Sequence, residues 1–136
     1  MADTTNIEAP KWTASQNSPD VTINSALDVI DSTMAAQNVI DFPSDADYTL
    51  TDTGARPREW QYCVIEMTDV AFTLSDVRNV IVPNNARMWH VFNNTTGPGR
   101  ILTFKTSAGT GIAIGVGKRA ILQCDGTNVV RWTADI

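Results

Sequence analysis

Residues Thr106–Lys118 read TSAGTGIAIGVGK, four glycines in thirteen residues with a lysine at the end. If these glycines cradled a phosphate, the chain would be a nucleotide-binding α/β protein. If they turned strands back on themselves, it would be a β protein with no such site. A P-loop needs a glycine, four further residues, and then Gly-Lys-Ser or Gly-Lys-Thr. Counting back from Gly117-Lys118, the first glycine position holds Ile112, and Arg119 stands where a metal-binding hydroxyl is required. No G-x-G-x-x-G fingerprint occurs either, and the residues after Lys118 continue in strand-like alternation. Ile112, Ile114 and Val116 share one face at period two, so the stretch is expected to be a hairpin.

Working outward, the same texture runs from Asn38 to the end. Short β-rich runs are expected near 38–42, 47–51, 60–67, 70–74, 79–82, 87–93, 100–105, 111–114, 118–124 and 128–133. Turn residues punctuate them at Pro83-Asn84-Asn85, Asn93 to Gly99, Ser107 to Gly111 and Asp125-Gly126-Thr127-Asn128. Strands spaced near ten residues with turn chemistry between them predict a mainly β domain, an antiparallel sandwich or barrel-like fold over 38–136. Ahead of it, VTINSALDVIDSTMAAQN places Leu27, Ile30 and Met34 at helical spacing. That pattern predicts a short helix from about Ser25 to Ala36, capped by Asn24, within an element spanning 21–37. So short a helix is marginal unless its stripe docks on something, either its own domain or other copies. Residues 1–20 are polar and aperiodic and are expected to form an extended N-terminal arm whose contacts come from neighbouring subunits.

Composition narrows the function classes. The 136 residues suit one domain; 43% are hydrophobic and 18% charged, in the range of globular chains. No apolar run approaches the length needed to cross a bilayer, and the N-terminal residues lack a secretion address. The net charge of −5 is unevenly spread. Residues 1–52 hold nine acids against one base, a balance of −8, and residues 53–136 hold six acids against nine bases, a balance of +3. Such asymmetry fits solvated surface, or the acidic segment of one copy lying on the basic domain of another. No basic cluster is dense enough for nucleic acid. Cys63 and Cys124 are too isolated for a metal site and are expected to be buried free thiols.

Catalytic chemistry finds no constellation. His90 is the single histidine and sits mid-strand without a companion nucleophile. Asp45 and Asp47 make a carboxylate pair but complete no calcium loop or glycosidase dyad. Trp12, Trp60, Trp89 and Trp132 could stack a sugar, or could serve core packing and subunit contacts. Trp12, alone on the arm, suits an anchor in a neighbour's pocket.

Two stretches resemble known proteins. Gln16-Asn17-Ser18-Pro19-Asp20-Val21-Thr22-Ile23-Asn24-Ser25-Ala26-Leu27, continuing to Asp31, is similar to an attachment motif of tailed-phage and prophage structural proteins, with Ser25 where Glu is usual. Segments between residues 70 and 132, among them Val91-Phe92-Asn93-Asn94-Thr95-Thr96-Gly97 and Asp125-Gly126-Thr127-Asn128-Val129-Val130, resemble a β-module of phage tail fibres, head fibres and capsid decoration proteins. The resemblance implies a non-enzymatic, usually trimeric building block of the virion, made in the bacterial cytoplasm. Its size suits a capsid decoration (cement) protein or short head fibre bound to the major capsid protein or another virion protein. The alternative is a tail-fibre or receptor-binding piece contacting a host glycan. The expected interface residues are Trp12, Val21, Ile23, Leu27, Ile30 and Met34. No cofactor, metal, nucleic acid or membrane is implied.

Overall fold

The computed structural model describes residues 3, 4 and 6–134. A single helix, α1 (Pro19–Ala35), precedes nine strands: β1 (Gln37–Asp41), β2 (Tyr48–Thr49), β3 (Val64–Thr68), β4 (Arg78–Ile81), β5 (Arg87–Asn93), β6 (Leu102–Lys105), β7 (Gly111–Ile114), β8 (Arg119–Cys124) and β9 (Val129–Arg131). One 3₁₀ turn at Glu59–Gln61 lies between β2 and β3. The helix starts six residues before the expected Ser25. Ser18 takes the cap position in left-handed geometry and Pro19 opens the first turn, where its fixed φ and missing N–H carry no penalty. The run 70–74 is not a strand: Val70, Ala71 and Leu74 give their amides to aspartates instead.

The strands form two mixed sheets, in the orders β1-β3-β5-β8-β9 and β2-β4-β6-β7. This corrects the antiparallel expectation, and no closed barrel forms among the described residues. From β1 to β6 the chain alternates strictly between the sheets, so β1, β3 and β5 pair in parallel, as do β2, β4 and β6. Each parallel neighbour is thus reached through a strand of the other sheet, which supplies the long crossover that parallel pairing requires. Only the last third turns back: β6 with β7, β5 with β8, and β8 with β9 are antiparallel. The glycine stretch is therefore split. Its first turn closes the β6–β7 hairpin, whereas Gly115-Val116-Gly117 carries the chain from one sheet to the other. Gly117 has φ +72, which a side-chain-bearing residue adopts only with strain, and a Cβ on Gly109 would lie 2.0 Å from the Thr127 carbonyl oxygen.

Both sheets contribute to one buried cluster. Ile65, Met67, Trp89, Val91 and Leu122 come from the five-stranded sheet, and Val80, Leu102, Phe104 and Ile114 from the other. Each such side chain contributes roughly 1.5–3 kcal/mol by leaving water. Asn93 is the polar pin between the sheets. Its buried amide donates to the carbonyls of Arg100 and Ile114, both at 2.8 Å, while its oxygen accepts from Thr95. Carboxylates fasten successive crossovers. Asp41 accepts from Thr68, Val70 and Ala71; Asp45 from Ser75 and Arg78; Asp47 from Asn79; Asp69 from Leu74 and Thr96. Part of the acidic excess of the first half is thus spent inside the fold. Cys63 is half-buried and Cys124 buried, both as free thiols.

Candidate interaction surfaces

The helix packs on its domain through Val29 and the small polar residues around it. Thr22, Val29 and Ser32 are its buried residues. Thr33 Oγ1 donates to the Gln61 carbonyl at 2.9 Å, and the Ser32 carbonyl accepts from the Cys63 amide at 2.8 Å. The apolar side points to solvent: Ile23, Leu27, Ile30 and Met34 are 49%, 56%, 40% and 75% exposed. At 3.6 residues per turn these four fall within about 60° of arc, one continuous stripe. Asp20, Asp28 and Asp31 line one side of it, and no base occurs on the helix. Burying the stripe would recover on the order of 4 kcal/mol, about half the transfer energy of four large side chains. Val21 lies off this stripe, in a shallow cleft with Pro10, Thr22, Ser25 and Gly54 to Arg56.

The N-terminal residues behave differently from expectation. Residues 3, 4 and 6–10 lie against their own domain rather than waiting for a neighbour. Asp3 pairs with Arg56, and Glu8 pairs with Arg58 at 2.5 Å and accepts from Asn85 at 3.0 Å. Gln61, fully buried, donates to the Ile7 carbonyl at 2.6 Å, and Ala9 is buried. The physical reason is charge: Arg56 and Arg58 follow the acidic segment closely and hold it, which the overall polarity of residues 1–20 did not indicate. From Lys11 onward the segment is largely exposed, and Trp12, 60% exposed, sits there with its ring in water. Met1, Ala2 and Thr5 lie outside the described residues.

A second apolar surface was not anticipated. The outer face of the five-stranded sheet carries Val39, Glu66, Phe92 and Arg119 in one row across the strands, and Gln37, Val64, His90 and Ile121 in the next. Met88, Gln123 and Val130 make a third row. Trp132, 62% exposed, continues beside Ile121 and donates its indole N–H to Gln123 at 2.7 Å. Val39, Met88 and Val130 are also exposed. The signal was present in the strands themselves: Met88, Phe92 and Ile121 alternate with Trp89, Val91 and Leu122, so both faces are apolar where one was expected to be polar.

The tryptophans do not converge. Trp60 and Trp89 are core residues that both border Arg87, whose guanidinium lies 5.4 and 5.3 Å from their ring centres. Arg87 has no carboxylate partner among the described residues, and burial pulls its pKa down to about 10. His90 is a half-buried member of the outer face. Among the described residues no group of three His, Cys, Asp or Glu could hold a metal, and no helix is long and apolar enough to cross a membrane. Comparison with models of known families, with curated proteins and with solved structures finds no match to this chain.

Proposed function

We propose that this chain is a structural component of a tailed-phage particle, a capsid decoration protein or short head fibre. In this reading the two sheets pack face to face as a sandwich that forms the rigid body. The N-terminal part, α1 above all, makes the attachment to other copies and to the major capsid protein or another virion protein. The observation that carries the reading is the orientation of α1. The stretch that resembles a phage attachment motif ends on a helix whose apolar stripe faces away from its own core. Monomeric proteins seldom leave such a stripe in water, and exposed apolar patches mark interaction sites. The tail-fibre alternative draws on a tryptophan platform for glycan binding, and the burial of Trp60 and Trp89 removes half of its members.

The test uses particles purified from a producing strain. Peptide mass spectrometry should find the chain in them, and labelled antibody should mark the outer head. Particles carrying Leu27→Asp/Ile30→Asp should lose the label. Purified particles without the chain would contradict the proposal, and label at the tail tip would favour the alternative.

A further inference from the structure

Two unpartnered apolar surfaces on one chain raise the question of whether they are partners of each other. The α1 stripe runs from Ile23 to Met34, about 16 Å at 1.5 Å per residue. The outer face of the five-stranded sheet spans about 19 Å from β1 to β9 at strand spacings near 4.8 Å. Within one molecule they do not meet, because the stripe and much of the face are exposed at once.

Charge distinguishes the two. None of the side-chain carboxylates of Asp20, Asp28 and Asp31 has an ion pair or hydrogen bond among the described residues. On the sheet face, Arg119 rests against the Phe92 ring without a carboxylate partner there, and Lys118 is exposed in the adjoining turn. The two acids of that face are already engaged: Glu66 accepts hydrogen bonds from Gln37 and Asn94, and Asp41, at the end of the edge strand β1, accepts from Thr68, Val70 and Ala71. A helix lined by carboxylates therefore meets complementary charge at the Arg119 end of the sheet face, but like charge on a second copy of itself. A copy that both gives its helix and receives one covers both exposed apolar patches, whereas helix-to-helix pairing would leave the sheet face in water.

We infer that the α1 stripe of one copy seats on the outer face of the five-stranded sheet of the next, with Asp28 and Asp31 toward Arg119 and Lys118. The contact is head-to-tail, and it terminates only by closing into a ring. It stands independently of any virion role.

Complementation tests it. Leu27→Asp/Ile30→Asp removes the helix half, and Met88→Asp/Val130→Asp removes the sheet half. Both change exposed side chains, and far-UV circular dichroism with a cooperative melt verifies folding. Should either acidic pair unfold, Leu27→Ser and Met88→Ser replace them. Sedimentation of the wild type should give a multiple of the 14.8 kDa chain mass, and each variant alone should run as a monomer. Mixed one to one, the variants should form a dimer, since one intact helix then meets one intact face. Raising salt should weaken association. The inference is overturned if the sheet variant alone still assembles, which would make the contact helix to helix. A wild type that stays monomeric, or a mixture that stays monomeric, overturns it equally.

Discussion

The guanidinium carbon of Arg119 sits 3.6 Å from the centre of the Phe92 ring, and the two residues are direct partners across the β5–β8 ladder. A cation held over an aromatic face on an exposed sheet contributes about 0.5–1 kcal/mol to the fold. Arg119→Ala should therefore lower the melting temperature only slightly. Its larger effect should fall on self-association, measured by sedimentation, where a several-fold weakening is expected.

Acid should loosen the crossovers in a defined window. The hydroxyl and amide of Ser75, with Arg78, hold the Asp45 carboxyl down to about 2, against an ordinary value of 3.8. Hydrogen bonds from Thr68, Ala71 and Val70 lower Asp41, and those from Asn79 lower Asp47. A depressed carboxylate contributes stability above its unfolded value and loses it as pH falls through the folded one. The melting temperature should thus hold down to about pH 4 and drop toward pH 2. Asp45→Asn/Asp47→Asn should melt lower than wild type at pH 6 and converge with it near pH 2.

Arg87 offers a test of packing against charge. A guanidinium is planar and weakly hydrated, so it suits a buried place against the two indole rings; an ammonium is compact and strongly hydrated. Arg87→Lys should cost about 1–3 kcal/mol, read from the denaturant midpoint, although the formal charge is unchanged. An unaltered midpoint would show that the two tryptophans do not hold the cation.

Removing residues 1–10 should destabilise the domain. Gln61 would lose its bond to the Ile7 carbonyl, and Arg56 and Arg58 would lose Asp3 and Glu8. Uncovering these partly buried groups should cost about 2 kcal/mol or more. Thermal melts of the truncated chain check this, and an unchanged midpoint would show that the contacts of Asp3, Ile7 and Glu8 do not hold the domain.

Much of the strand pattern was legible because turn chemistry and period two are local. Arg87–Asn93 and Gly111–Ile114 fall where alternation and glycine placement put them, and Gln37–Asp41 lies one residue ahead of the expected 38–42. Strand direction was not legible. Val64 pairs in parallel with His90, yet nothing in either run distinguishes that neighbour from an antiparallel one, since side chains alternate identically in both. The roles of Asp41, Asp45 and Asp69 were hidden for the same reason: each acts on residues some thirty positions away or fewer, in the next crossover. The stripe of Leu27, Ile30 and Met34 was readable from spacing, but its direction was not. Amphipathicity says that a face must be covered and is silent about what covers it.

That outward stripe is the centre of the account, and one measurement addresses it most directly. Analytical ultracentrifugation of the purified chain across a micromolar range, beside Leu27→Asp/Ile30→Asp, reads whether the stripe joins copies. The account predicts a wild-type mass that is a multiple of 14.8 kDa and a variant that is folded but sediments as a single chain. A wild type sedimenting at 14.8 kDa throughout, indistinguishable from the variant, would contradict it.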